Sequence, residues 1–375
     1  MSIIAARTQA QHPASSDRIN APTASLPTGS QEQSGDGHTL DNTGYCLLSL
    51  DGGGVRGLST LYILQSIMKR LNFERKKRGL QPRKPCEIFD LMGGTSTGGL
   101  IAIMLGRLEM DVDECIKAYV KLMKQVFEKR ENRSFIGVLG RVKPRFSSKA
   151  LEDAIAQVLR ERGIPEDEKF ESATEPRCKV FVCTKFQKIN KITRLRNYST
   201  PYGSSHSPTI VEAALATSAA PTYFSEASIE GSKFVDGAIG ANNPSVQVEE
   251  EAADIWCEDS GRIQPLVKCF VSIGTGHPGS RSVSDKGMKT FLQTLAKEAS
   301  ETEDTKEEWL GRWREHSKNG RAFRFNVSHG LENVKLAEYE QEELISDATH
   351  GYLGERGTKG DVKTCVENLR TKECR

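Results

Sequence analysis

Several common chemistries have little to stand on in this sequence. Its nine cysteines include no Cys-x-x-Cys pair and are odd in number. That pattern fits a reducing compartment better than a disulfide framework. The seven histidines do not fall at zinc-ligand spacings with those cysteines, and no Asp-x-Asp-x-Asp-Gly loop suggests calcium. No apolar run approaches the ~20 residues of a membrane-spanning helix, and Met1 to Gln11 lack a signal-peptide core. These absences predict a soluble, cytoplasmic protein without a metal or other cofactor. A formal net charge of +2 carries no case for nucleic acid. The charge is uneven, however. Lys69, Arg70, Arg75, Lys76, Lys77, Arg78, Arg83 and Lys84 crowd one region against Glu74 alone. This run reads as a solvated helix end, or as a patch attracted to anionic headgroups.

What is present begins after a Ser-, Thr-, Pro- and Gln-rich stretch. Residues 1–43 have no apolar period and are expected to be disordered. Then Tyr45 to Leu50 form a short apolar strand that runs into Asp51-Gly52-Gly53-Gly54-Val55-Arg56-Gly57. A helix follows, with Leu58, Leu61, Leu64, Met68 and Leu71 on one face. Three readings compete for the glycines. Asp-Gly marks hairpin turns, but a helix comes next. Gly52, Gly54 and Gly57 match Gly-x-Gly-x-x-Gly, but the second strand with an acidic end is replaced by Asn72 to Lys77. The third reading is an oxyanion hole, with the Gly53 and Gly54 amides as donors.

The organising stretch is Gly94-Thr95-Ser96-Thr97-Gly98. An apolar run, Ile88 to Gly93, reads as the buried strand before it, and Gly99 to Leu105 as the buried helix after it. A Gly-x-Ser-x-Gly at a strand-to-helix turn is a nucleophile elbow, with the serine held in a strained turn between glycines. Farther on, an amphipathic helix is expected between Glu109 and Arg133, and another capped by Ser147 or Ser148. Between them, Phe135 to Gly140 reads as a packed connection or a cover over the site. Strands are expected at Lys179 to Thr184, Lys191 to Tyr198, Lys233 to Ala238, Val267 to Ile273 and Phe323 to Val327. An alanine-rich helix from Pro208 to Ala220 reads as a packing element, and Asn242-Asn243-Pro244 opens another helix. In the charged stretch from Lys286 to His316, Leu292, Leu295, Trp309 and Trp313 are expected on the core. Asp236-Gly237 ends a strand, so its carboxylate is a candidate base for Ser96.

Taken in order, the Asp-Gly-Gly-Gly-Val-Arg loop, the Gly94–Gly98 elbow and Asp236-Gly237-Ala238 resemble the motif set of the patatin-like phospholipases. Ala216 to Phe224, Asn242 to Pro244 and Val271 to Gly276 support the likeness, which looks greatest to the fungal and plant-type branch. The resemblance implies a three-layer α/β patatin-like fold, with a mostly parallel central sheet flanked by helices. The resemblance covers roughly Tyr45 to Gly276 and thins after that; the domain is expected at 44–350, with 351–375 as a polar helical extension. It also implies a serine–aspartate dyad: Ser96 as nucleophile, Asp236 as base, and the Gly52, Gly53 and Gly54 amides with Arg56 around the oxyanion. The implied activity is calcium-independent hydrolysis of fatty acyl esters of glycerophospholipids or related glycerolipids, with peripheral membrane contact. Three rivals stand beside it: an acyltransferase on the same dyad, a lipid-binding or signalling module, and a Ser96–Asp236–His277 triad.

Overall fold

A computed structural model describes residues 44–129, 144–189, 191–200, 206–277 and 302–372. The segment 1–43, the loop from Phe135 to Gly140, and Leu292 and Leu295 lie outside the described residues. Eight described strands make one sheet: β1 Tyr45–Leu50, β2 Leu91–Thr95, β3 Lys179–Phe186, β4 Ile192–Arg196, β5 Ala227–Ile229, β6 Ser232–Asp236, β7 Val267–Ile273 and β8 Ala322–Phe325. Their order is β5-β6-β3-β2-β1-β7-β8, with β4 on β3. The pairs from β3 to β8 along that path are parallel, while β4, β5 and β6 join antiparallel. Strands β1, β2 and β7 read as continuous apolar runs because helices cover both of their faces.

Alternation along β1 divides the core. Cys46, Leu48 and Leu50 face the larger helical layer, built from α1 Gly57–Lys77, α2 Thr97–Ala102, α3 Val112–Phe127, α4 Ser148–Glu161 and α5 Ile210–Ser218. Leu47 faces the smaller layer, with α6 Ser245–Trp256 and a helix over 302–312. There Trp309 and Trp313 are wholly buried, both edge-on to Phe270. Two last helices, α8 Glu342–Gly354 and α9 Arg356–Arg370 (the 302–312 helix being α7), pack on α1. Helix α9 buries Val362, Cys365, Val366 and Leu369, so the polar-looking end of the chain belongs to the core.

Local signals explain most of these elements. Asp111 and Glu114 form a reciprocal capping box at the start of α3, and Thr209 and Glu212 do so at α5. Ser147, rather than Ser148, caps α4 by accepting the Ala150 amide. The strand expected from Ile88 starts later, at Leu91, because Pro85 begins a short 3₁₀ turn through Glu87. After α2 the backbone widens into a π-turn, Ile103–Arg107, where Gly106 lies against Val180 without room for a side chain.

Candidate active site

Strand β2 delivers the nucleophile candidate. Ser96 follows it directly and has φ 54° and ψ −127°, a conformation that a side chain disfavours. The flanking glycines make the turn possible by close approach. A Cβ on Gly94 would strike the Gly98 carbonyl, and one on Gly98 would strike the Leu50 and Asp51 carbonyls. Thr217 fixes the turn from α5: its hydroxyl accepts the Ser96 amide at 3.0 Å and donates to the Cys183 carbonyl at 2.6 Å. The alanine-rich helix therefore contributes more than packing. Thr217 could have been suspected from its place in the Ala216–Phe224 stretch.

The sheet register brings Asp236 to the serine. A strand has two edges, and β4 occupies one edge of β3 from Phe181 to Lys185. Strand β2 pairs with β3 up to Thr95 opposite Cys183, and β6 pairs from Asp236 opposite Thr184. Both overlap β4, so both must lie on the other edge. They meet there end to end, which sets Ser96 and Asp236 at adjoining positions. The Asp236 amide donates to the Ala219 carbonyl at 3.0 Å, and Oδ1 accepts the Ala238 amide at 2.8 Å. Gly237 lies against the Cys183 carbonyl with no space for a Cβ. Burial pushes the Asp236 carboxyl up to about 7, while the Ser96 hydroxyl and the Ala238 amide pull it down. The serine contact is loose. Among the described residues, Oδ2 has no hydrogen bond of ordinary length and angle, as is common where such contacts tighten only with substrate.

Above them the glycine loop is held by its carbonyls. Thr275 Oγ1 donates to the Gly52 carbonyl at 3.0 Å. The Arg56 amide and Nε donate to that of Gly53, at 3.3 and 3.5 Å. The Tyr119 hydroxyl donates to that of Gly54 at 2.5 Å. Within a peptide plane the next N–H points opposite the carbonyl. Tethering the Gly52 and Gly53 carbonyls thus aims the Gly53 and Gly54 amides away from the tethers. Arg56 is buried and faces this backbone, so it orients a peptide. The Gly52 amide is engaged by the Asn242 backbone carbonyl at 3.1 Å. Gly53 donates to the Thr97 hydroxyl at 3.2 Å, a side-chain partner that an oxyanion would replace. Gly54, at φ +57°, has no amide partner among the described residues.

Sequence reasoning did not find Arg324. Its Nη1 donates to Asp51 Oδ1 and to Ser272 Oγ, both at 2.8 Å, and its Nη2 reaches Asp51 Oδ2. Both partners are buried. Burial pushes the Asp51 carboxyl up, and the guanidinium pulls it the other way. This ion pair ties the residue before the glycines to β8. Nothing in the local motif signals a partner that distant. Thr97, Tyr119 and Thr275 were also missed; Tyr119 reads as one more apolar contact on its helix until its hydroxyl is placed.

His277 stands at the end of another strand. It follows β7, is exposed, and donates its amide to the Val327 carbonyl at 3.1 Å. Strand β1 and the glycine loop separate that end from β2 and β6. The carboxylate of Asp236 is acted on by Ser96 and Ala238.

Comparison with known proteins gives the family. Patatin-like phospholipase 1 of Plasmodium falciparum is 30% identical over 334 residues, covering 82% of this chain and 47% of that protein. Human calcium-independent phospholipase A2-gamma is 29% identical over 274 residues, covering 70% and 32%. Phospholipase A I of Arabidopsis thaliana is 29% identical over 318 residues, covering 69% and 22%. The chain thus spans less than half the length of these relatives. The patatin-like phospholipase family model matches residues 48–247, the interval that holds the glycine loop, the elbow and Asp236. With its α/β sheet and that match over more than half its length, this chain belongs to the patatin-like phospholipase family.

Proposed function

We propose that this chain is a calcium-independent lipid acyl hydrolase of the phospholipase A type, cleaving fatty acyl esters of glycerophospholipids or related glycerolipids through Ser96 and Asp236. The observation that carries the reading is the strained Ser96 beside a buried Asp236 at the meeting ends of β2 and β6. The names of the relatives, calcium-independent phospholipase A2-gamma and phospholipase A I, support the substrate class. We keep kinship with the fungal and plant-type branch, and a cytoplasmic location with peripheral membrane contact, as parts of the same proposal.

In this reading Asp236, raised to about 7, is both ionised and basic near neutrality, as a general base requires. It takes the proton of Ser96 Oγ as that oxygen attacks the ester carbonyl carbon. The carbonyl π pair moves to oxygen, and the Gly53 and Gly54 amides stabilise the oxyanion. The C–O bond to the glycerol then breaks, and its oxygen receives the proton from Asp236. Water attacks the acyl-enzyme with the same base, releasing the fatty acid and restoring Ser96. An acceptor alcohol in place of water would make the enzyme an acyltransferase.

The test is fatty acid release from mixed phospholipid vesicles with a chelator present, with fluorophosphonate labelling of Ser96. Release and labelling by wild type, with release lost in Ser96→Ala and Asp236→Ala, support the proposal. Folded wild type that neither releases fatty acid nor takes the label overturns it in favour of a lipid-binding or signalling module.

A further inference from the structure

Two exposed patches combine lysine or arginine with a large apolar side chain, and they lie far apart on the chain's elements. The basic run at the end of α1 carries Phe73 and Leu80. Helix α1 starts at Gly57, beside the glycine loop, and 21 residues at 1.5 Å each put its end about 30 Å away. Its charge is also partly answered: Lys69 pairs with Asp113, Lys77 with Glu74 and Arg83 with Glu87. The other patch is the β3–β4 hairpin. Strand β3 runs parallel to β2 and continues to Phe186, three residues past the Cys183 position where β2 ends. The hairpin therefore projects from the sheet end at which Ser96 stands.

At its tip Ile189 is 65% exposed, more than any other large apolar side chain among the described residues. Lys188 and Lys191 are exposed on either side and form no ion pair among the described residues. The support beneath is firm. Five residue pairs join β3 to β4, Phe186 packs on Phe234 and His206, and the Gln187 amide donates to the Lys233 carbonyl at 3.0 Å. An apolar side chain held out in water between two uncompensated cations matches a surface with anionic headgroups over an acyl interior.

We propose that the β3–β4 hairpin docks this chain on anionic bilayers, with Ile189 entering the acyl boundary and Lys188 and Lys191 contacting the headgroups. The inference takes only its orientation from the lipid hydrolase reading, since docking is measured without turnover.

The experiment is co-sedimentation of the full chain with phosphatidylcholine vesicles, with and without phosphatidylserine, beside hydrolysis of a water-soluble short-chain ester. Replacing each lysine by alanine is expected to lower partition onto the anionic vesicles about fivefold, with loss of the preference for phosphatidylserine. Ile189→Asp is expected to weaken binding to both vesicle types, with Ile189→Ser in its place should the first variant not fold. Phe73→Asp should bind as wild type does, and the hairpin variants should hydrolyse the soluble ester at the wild-type rate. Unchanged vesicle binding by the hairpin variants, loss of binding in Phe73→Asp alone, or a wild type that binds neither vesicle would each overturn the proposal. A wild type without esterase activity whose binding still depends on the hairpin would sink the catalytic reading and leave the docking surface standing.

Discussion

Replacing Asp236 by asparagine should remove activity and, above neutral pH, make the protein more stable. Burial raises the Asp236 carboxyl from 3.8 to about 7, against the opposing pull of the Ser96 hydroxyl and Ala238 amide. A folded-state value above the unfolded one means the folded chain holds this proton more tightly. The associated stability is complete below the unfolded value and is lost as pH rises toward 7. At about 1.4 kcal/mol per unit, the full window is worth about 4 kcal/mol, of which about half or somewhat more falls between pH 5 and pH 8. Asparagine keeps an oxygen for the Ala238 amide and carries no charge, so it does not pass through this loss. Urea unfolding of wild type and Asp236→Asn at those two pH values isolates the effect, because every other group titrates in both proteins. The variant's advantage over wild type should grow by about 2–3 kcal/mol from the lower pH to the higher. Wild-type turnover should rise over the same interval, as the base becomes ionised. An advantage that does not change with pH would refute the reasoning, since Asp236 would then not be a buried carboxyl that charges near neutrality.

Ser96→Gly should abolish turnover and fluorophosphonate labelling while stabilising the fold by about 1–3 kcal/mol, because glycine relieves the strained turn; thermal unfolding reads it. Tyr119→Phe leaves the Gly54 carbonyl without its donor, and we expect turnover to fall about tenfold or more with little change in KM, as for loss of a group felt only in the transition state. Arg324→Ala strands the buried Asp51 and should destabilise the chain by about 3–5 kcal/mol, whereas Asp51→Leu with Arg324→Met should cost less in the same denaturant assay. His277→Ala should keep wild-type ester hydrolysis, which a Ser96–Asp236–His277 triad would lose.

Much of the fold could be read because its signals are local. Tyr45–Leu50 and Val267–Ile273 stand at the bounds their apolar runs suggest, and the Asp111, Ser147 and Thr209 caps mark helix starts. Strand β5, at only three residues, was too short to show a period. The Asp236-Gly237 strand end was visible, but its meeting with Ser96 depends on how β2, β4 and β6 divide the edges of β3. That is a property of pairing, which no single segment carries. The same limit hid Arg324 and Thr275, whose partners lie 273 and 223 residues away. For the glycine loop, composition pointed to free amides. Only the carbonyl tethers show that Gly52 is engaged elsewhere and that Arg56 acts on the backbone.

The shared edge of β3 also bears on synthesis. Residue 96 precedes residue 236 by 140 positions, so a chain growing on the ribosome carries its serine long before its base exists. Even a finished chain lacks the pair until β6 takes its place on β3 beyond the end of β2. Under the proposed mechanism, a dyad wired this way is inert in a nascent or half-assembled chain, and lipid in its surroundings is spared until β6 has joined β3.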